Sequence, residues 1–367
     1  MNTSSWSLTR RPAMTGKGLA ARTAARSTVR FGWARFASRR ITRRAFVGLS
    51  LGSLTACLRR QPAVAAADLQ PAKGGPNYPT PEVASDWFRI VEYPRNHLND
   101  FCLFRDQRGI WHAIGILGTG TWASETSLFH SAGKHLRERF ENHSPLFETM
   151  PRWIGGRRSQ NAAPQKHAPF VVFHDGLYHL FYRRPSGTIL VVRSPDPFRW
   201  PDEVELVFEE RDARDICIAT MGGTFHMYYC QAAPVDGVMR SCVLLRTSKD
   251  LRDWSAASVV CADTSRESRH STLESPFVVP RPEGFYLFIR NRLLEENTVT
   301  TVSFSKEPAR FPGGVHPWFT ELKHVHAPEI VEFDGRHYIA RVSGPSHANR
   351  QAPAIGGWIE VAELRFR

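Results

Sequence analysis

The clearest pattern of hydrophobic and polar positions in this chain is a repeat that occurs five times. Each copy has a short apolar run, a turn containing glycine, an aromatic-rich second run and then a polar segment. The first residue of each copy is ionisable and lies eight to ten positions before the turn glycine. The copies begin at Asp100, His167, Asp215, Glu274 and His326, and their turn glycines are Gly109, Gly176, Gly223, Gly284 and Gly335.

This repeat predicts an all-β fold built from strand pairs. In the second copy an apolar run at 168–173 is followed by a glycine turn, a second run at 177–182 and a third at 188–193. Glycine suits such a turn because it readily adopts positive φ. A period of about 50 to 65 residues is typical of a β-propeller or another repeat array. We therefore predict a five-bladed β-propeller, with strands starting around one axis.

A polar tail ending in an aromatic residue closes three of the copies. It ends at Trp200, Trp254 and, in weaker form, Phe311. An aromatic side chain at this recurring position is expected to pack between neighbouring blades. No long segment of the sequence has the periodicity of a helix.

The charge of the chain is concentrated at its N-terminus. The formal net charge is +13, but 13 of the 48 Lys and Arg residues lie in residues 1–60, where there is no Asp or Glu. The remaining 35 basic residues balance the 35 acidic ones. The body therefore offers no basic surface for nucleic acid, and we expect no nucleic-acid partner.

The N-terminal segment has the pattern of an export signal. Arg43 and Arg44 precede a short apolar run that is typical of a twin-arginine signal and too short to span a bilayer. Cys57 ends this run as in a bacterial lipobox, which predicts lipidation. Cleavage near residues 63–65, giving a soluble periplasmic protein, is the alternative, and a mitochondrial presequence is a more distant one.

These features divide the chain into three parts. Residues 1–57 are the predicted twin-arginine signal with its lipobox, residues 58–80 an Ala-, Pro- and Gly-rich tether, and residues 81–367 the propeller domain. We expect a monomer that is periplasmic or on the cell surface and touches the membrane only through its lipid anchor.

The five cysteines of the body show no CxxC spacing. Cys102 and Cys217 lie in apolar strands and are expected to be buried thiols. A disulfide among Cys230, Cys242 and Cys261 is compatible with an oxidising compartment, but the sequence does not assign one.

The ionisable residues that begin the repeats suggest a site at the axis. An acid at the start of a strand is often only a turn residue, yet three acids in one register of a closed repeat would meet near one point. Cleaving a glycosidic bond requires one carboxylic acid that protonates the leaving oxygen and one carboxylate that attacks or activates water. A third carboxylate can tune the pKa of the acid. Asp100, Asp215 and Glu274 fit this requirement.

The two histidines of the set allow several interpretations. His167 and His326 each begin a His-Ala-Pro sequence. Either could bind a sugar hydroxyl, satisfy a buried carbonyl or, with the lowest expectation, ligate a metal. No local spacing indicates zinc, so we expect no catalytic metal or cofactor, while a structural cation in the channel stays open.

Taken together, these motifs resemble those of the five-bladed propeller glycosidases of glycoside hydrolase families 43 and 32. The resemblance covers most of residues 85–365. It implies that Asn99-Asp100 carries the catalytic base or nucleophile, that Arg214 contacts substrate beside a transition-state stabiliser, Asp215, and that Glu274 is the general acid. Asn99-Asp100 lacks the Pro-Asn-Gly continuation of family 32, and Arg214-Asp215 is followed by Ile rather than Pro. Substrate and stereochemistry therefore stay open.

Two further residues are candidates by position alone. Trp122, in the loop after the second run of the first copy, could stack on a sugar or pack between blades. Glu329 is expected to point away from the axis or to lie deeper in it. The function predicted from all of this is an exported glycoside hydrolase. A carbohydrate-binding propeller without turnover, and a transferase or phosphorylase on the same fold, are the alternatives.

Overall fold

The computed structural model describes residues 78–159, 163–291, 299–313, 320–345 and 356–367. Within these ranges the chain forms five antiparallel sheets, which are the five predicted blades. Blade I contains β3 (His97–Arg105), β4 (Trp111–Gly118), β5 (Ser127–Gly133) and β6 (Glu141–Asn142). Blade II contains β8 (His167–His174), β9 (Leu177–Arg184), β10 (Thr188–Ser194) and β11 (Glu203–Glu209), with β7 (Arg152–Trp153) added in parallel to β11.

The next two sheets repeat the same order from the axis outwards. Blade III contains β12 (Arg214–Met221), β13 (Thr224–Val235), β14 (Val238–Ser248) and β15 (Ser258–Asp263). Blade IV contains β16 (Leu273–Arg281), β17 (Gly284–Asn291), β18 (Thr300–Ser305) and β19 (Thr320–Leu322). The first two strands of each blade come from the two runs of one sequence repeat.

Blade V is assembled from both ends of the described chain. Its inner strands are β20 (Glu329–Phe333), β21 (Arg336–Ser343) and β22 (Gly357–Phe366), and its outer edge is formed by β1 (Pro81–Val83) and β2 (Phe88–Tyr93). β1 and β2 both pair with β22, at successive levels along it. Hydrogen bonds between the first and last strands therefore close the ring.

The five innermost strands surround one axis. They are β3, β8, β12, β16 and β20, and each contacts the next, with β20 returning to β3. The prediction of a closed, all-β, five-bladed propeller is thus confirmed for the described residues. Helical structure there is limited to two short 3-10 turns, Trp122–Ser124 and Pro185–Gly187, and no described helix is long and apolar enough to cross a membrane.

Apolar side chains between adjacent blades make up the core. The three aromatic residues that end the polar tails occupy these interfaces, as predicted. Trp200 packs between blades I and II, Trp254 between II and III, and the fully buried Phe311 between III and IV. The burial of such large rings against both neighbours fixes each blade relative to the next.

The cysteine predictions are resolved in part. The five cysteines at positions 102, 217, 230, 242 and 261 are all buried free thiols. Cys102 and Cys217 are therefore buried thiols as expected, and the disulfide that the sequence left open is not formed. Cys57 and the whole predicted export signal lie outside the described residues.

Candidate active site

A β-bulge recurs near the start of the innermost strands. The pairing register between first and second strands shifts after Asn99, His167, Arg214 and Glu274. Such a bulge places two residues opposite one and bends the strand. One bulge residue in each of blades II to IV, and Ala327 just before β20 in blade V, has positive φ, which lies in the left-handed region that few residues adopt. These residues are Ala168 (44°), Asp215 (55°), Ser275 (50°) and Ala327 (48°).

The bulges correct one expectation from the sequence. The five ionisable residues do not occupy one equivalent position. Asp100 and Asp215 are bulge residues. His167 and Glu274 lie one position earlier, where the strand is still paired with its neighbour. In blades I and III that earlier position is occupied by Asn99 and Arg214. Counting back from a turn glycine misses this difference, because the turns differ in length and the bulge inserts a residue.

The bulges line a small pocket of about 20 Å³ at the axis. All five blades contribute to its wall, which gives the pocket both apolar surface and carboxyl groups. Its lining consists of Asp100, Phe101, Ala168, Pro169, Asp215, Ile216, Ser275, Pro276, Ala327, Pro328 and Glu329. Two of the three predicted catalytic carboxyl residues, Asp100 and Asp215, therefore lie in this wall. The third, Glu274, immediately precedes Ser275.

The environment of Asp100 favours the protonated form of its carboxyl. Burial raises the pKa of its carboxyl well above the usual range, and the negative charges of Asp215, Glu274 and Glu125 raise it further. Arg290 opposes this effect only weakly. The imidazole of His326 lies beside this carboxyl, with its Nε2 4.0 Å from Asp100 Oδ1.

Glu274 has the opposite environment. Its Oε2 accepts a hydrogen bond of 2.5 Å from Nη1 of the buried Arg290, the residue directly opposite it on β17. Its Oε1 lies 3.4 Å from Nη1 of Arg214. Two guanidinium groups, one at each oxygen, are the partners of an ionised carboxylate.

Asp215 and Arg214 join blades III and IV. Asp215 Oδ2 accepts a hydrogen bond of 3.2 Å from the backbone N–H of Ser275 and lies 3.9 Å from Arg214 Nε. Arg214 also donates to the backbone carbonyl of Ser271. Arg214 therefore contacts both Asp215 and Glu274, two of the three predicted catalytic residues, and fixes their relative position.

The two histidines lie on different sides of the pocket. His326 Nε2 is 3.1 Å from Oδ1 of Asn99, and since an amide oxygen only accepts, the imidazole donates. His167 is buried, with its Nε2 3.0 Å from Glu125 Oε2. Trp122 is 57% exposed, and its ring centroid lies 5.1 Å from that of His167. Trp122 is therefore not packed between blades.

Sequence reasoning missed several charged residues of this site. Arg183 and Arg290 lie on second strands, directly opposite His167 and Glu274. Reading the second run of each repeat in the same register would have revealed them. Glu125 carries no repeat signal because it lies in the loop after β4, and His97 carries none because it precedes the first repeat, which begins at Asp100.

Glu329 is among the residues that line the pocket, so it does not point away from the axis. Burial raises the pKa of its carboxyl well above the usual range, with a further contribution from the charge of Asp100. Its Oε2 accepts a hydrogen bond of 3.4 Å from the backbone N–H of Leu103. In the part of the chain that the structure describes, no group of three or more His, Cys, Asp or Glu side chains is arranged to hold a metal ion.

Comparisons with known proteins bear on the fold. No family model and no curated protein matches the sequence. The structure is similar to a thermostable family-43 glycoside hydrolase, with 11% identity, a TM-score of 0.54 and coverage of 74% of this chain and 93% of that one. A β-xylosidase has 13% identity, a TM-score of 0.51 and coverage of 74% and 93%.

A variant of the Bombyx mori family-32 β-fructofuranosidase in complex with sucrose is also similar. It has 15% identity and a TM-score of 0.55, and the match covers 76% of this chain and 62% of that one. At these identities the similarity establishes the fold. The resemblance to the propeller glycosidases that the sequence motifs indicated is confirmed at that level.

Proposed function

We propose that this protein is a glycoside hydrolase that cleaves the glycosidic bond of a carbohydrate at the axial pocket. The observation that carries the proposal is the convergence of Asp100, Asp215 and Glu274, from three different blades, at one pocket. Acid-assisted glycoside cleavage needs two carboxyl groups in different protonation states. The pocket favours such a difference, because the pKa of Asp100 is raised while two arginines face Glu274.

The charges of the free pocket favour a division of roles that differs from the one implied by the resemblance. We propose Asp100, which holds a proton before substrate binds, as the proton donor. Asp215 and Glu274, which both contact Arg214, then stabilise the positive charge of the transition state and supply the base or nucleophile. Glu274 can be the donor only if substrate binding separates it from Arg290.

Amide variants test this proposal. The propeller domain is first screened for hydrolysis of a library of glycosides. The activities of Asp100→Asn and Glu274→Gln are then compared on activated aryl glycosides and on natural glycosides. Loss of the proton donor should cost about 10²–10⁴-fold on natural glycosides. The loss on an activated aryl glycoside should be much smaller, because its leaving group needs little protonation. We expect this selectivity from Asp100→Asn.

The matched control is Glu210→Gln, which removes an ion pair between the turn after β11 and Arg246 of β14; neither residue lines the pocket. It should retain the activity of the natural chain. If instead Glu274→Gln loses much less activity on activated aryl glycosides than on natural glycosides, Glu274 is the proton donor, as the resemblance implies. A protein that binds sugars but hydrolyses none of the library would contradict the hydrolase proposal and favour the binding propeller.

A further inference from the structure

Glu125 is a further carboxylate beside the pocket, and neither the repeats nor the resemblance gives it a role. It follows the 3-10 turn Trp122–Ser124, and only 2% of its surface is exposed. Its charge contributes to the raised pKa of Asp100, so it acts on the candidate catalytic group. A buried charge is tolerated only with compensating partners, and the partners of Glu125 come from two blades.

Each oxygen of Glu125 faces one imidazole. Oε1 lies 3.2 Å from Nε2 of His97, at the start of β3, and Oε2 lies 3.0 Å from Nε2 of His167, at the start of β8. Burial raises the pKa of Glu125, but the two imidazoles outweigh this effect and the net pKa is lowered. Glu125 is therefore an ionised carboxylate that joins blade I to blade II.

These contacts define the hydrogen positions on His167. If Nε2 of His167 had no hydrogen, its lone pair would face a carboxylate oxygen of Glu125, which is unfavourable. Nε2 is therefore assigned the hydrogen. The N–H does not point directly at Oε2 of Glu125. On the other side of the ring, Nη1 of Arg183 lies 3.5 Å from Nδ1. A guanidinium only donates, so Nδ1 accepts. The contacts on the two sides of the ring favour the tautomer of His167 that carries its hydrogen on Nε2.

The loop that carries Glu125 is also attached to blade II through Lys166. The backbone N–H of Lys166 donates to the carbonyl of Glu125 at 3.0 Å, and Nζ donates to the carbonyl of Thr126 at 2.6 Å. Lys166 is only 1% exposed. These bonds hold the loop rigidly against the strand that begins at His167.

We propose that Glu125 is a positioning residue, which fixes His97 and His167 so that His167 and the exposed Trp122 form a rigid wall for a sugar ring. An exposed aromatic ring held against a fixed support is suited to stack on the apolar face of a sugar. The wall adjoins the bulge residues Ala168 and Pro169 of the axial pocket. This inference rests on the proposed hydrolase function and extends it to a glycan with at least two sugar rings, one at the axis and one at Trp122.

Glu125→Gln is the direct test. The neutral amide can accept from only one imidazole and presents N–H to the other. In nitrogen NMR spectra, the signals of His97 or His167 should move from those of the Nε2–H tautomer. In kinetics on an oligosaccharide, KM should rise about tenfold, the equivalent of one hydrogen bond, with a smaller change in kcat. Glu210→Gln is the control and should change neither.

A second variant tests the proposal independently, in case Glu125→Gln does not fold. Trp122→Ala removes an exposed ring, so the fold should be retained. It should raise KM for an oligosaccharide and leave KM for an aryl monosaccharide unchanged.

Unchanged histidine signals in Glu125→Gln, or equal effects of Trp122→Ala on both substrates, would overturn the positioning role while leaving the hydrolase proposal intact. If the natural chain hydrolyses no glycoside, oligosaccharide affinity from calorimetry replaces KM. The histidine spectra then still decide the role of Glu125.

Discussion

Asp100 shows at the scale of one residue how this pocket departs from what folding alone favours. Its carboxyl is placed among three other carboxylates, and burial together with their charges raises its pKa. Bringing like charges together costs stability, and such arrangements are concentrated at functional sites. The raised pKa of Asp100 therefore identifies the pocket as a candidate functional site whose like charges lower the stability of the fold.

Replacing Asp100 should stabilise the fold in a pH-dependent way. A carboxyl with a raised folded-state pKa contributes stability below its unfolded pKa near 3.8, and this contribution is lost as pH rises through the folded value. Asp100→Asn should therefore be more stable than the natural chain at pH 8, by about 0.5–2 kcal/mol. The advantage should disappear at pH 3.5, where both side chains are neutral.

Thermal unfolding of both chains at several pH values measures this effect. Glu210→Gln, whose pair with Arg246 lies outside the pocket, should not reproduce the gain at pH 8. A difference between Asp100→Asn and the natural chain that does not vary with pH would contradict the raised pKa.

At the scale of elements, the sequence repeat predicted the strands well and their fine register poorly. The runs expected at 168–173, 177–182 and 188–193 correspond to β8, β9 and β10, each with only one or two residues added at either end. Alternating apolar runs determine which residues can form a buried strand. The bulge depends instead on how two strands pair, which a periodicity along one chain does not contain.

The same limit explains which site residues could be predicted. Asp100, Asp215 and Glu274 are at repeat starts and were identified by position. Glu125 joins the site through a loop that belongs to one blade only, and its partner His97 lies before the first repeat begins. Likewise, the pairing of β1 and β2 with β22 is a contact between distant parts of the chain, for which no local pattern exists.

Gly187 provides a test at the level of an element junction. It has φ of +81°, and a Cβ there would lie 1.7 Å from the carbonyl oxygen of Glu210, in the turn that leads to Arg214 and Asp215. Gly187→Ala should therefore displace this turn, destabilise the fold by more than about 3 kcal/mol and reduce any glycosidase activity. Denaturant unfolding measures the loss.

Gly176 is the matched control for that substitution. Its φ is +76°, but a Cβ there would meet nothing within 4 Å. Gly176→Ala should cost only the backbone strain of a left-handed residue, about 1–2 kcal/mol. Equal destabilisation by the two substitutions would show that contact with the Glu210 turn is unimportant.

At the scale of the whole molecule, the strong positive charge belongs to the N-terminal 60 residues and the rest of the chain is neutral. We propose that this segment directs export by the twin-arginine route and anchors the protein through Cys57. A monomer is the expected state. These proposals concern residues outside the described ranges and depend on the sequence pattern alone.

Cell fractionation tests the export proposal. Changing Arg43 and Arg44 together to Lys should retain the precursor in the cytoplasm, because the route reads the arginine pair itself. Cys57→Ala should be exported but released from the membrane, since a lipid chain is its proposed anchor. If Cys57→Ala stays bound to the membrane as strongly as the natural protein, the lipid anchor is wrong, and cleavage near residues 63–65 becomes testable by N-terminal sequencing.

The way in which the ring is closed also gives the domain an orientation. β22 starts at Gly357, level with the pocket, and ends at Phe366, level with the hairpin turns, where Pro81 pairs with it. The chain therefore enters the domain on the face opposite the pocket. A tag or solid support joined directly before Tyr78 would therefore lie at the face opposite the pocket and leave the pocket uncovered.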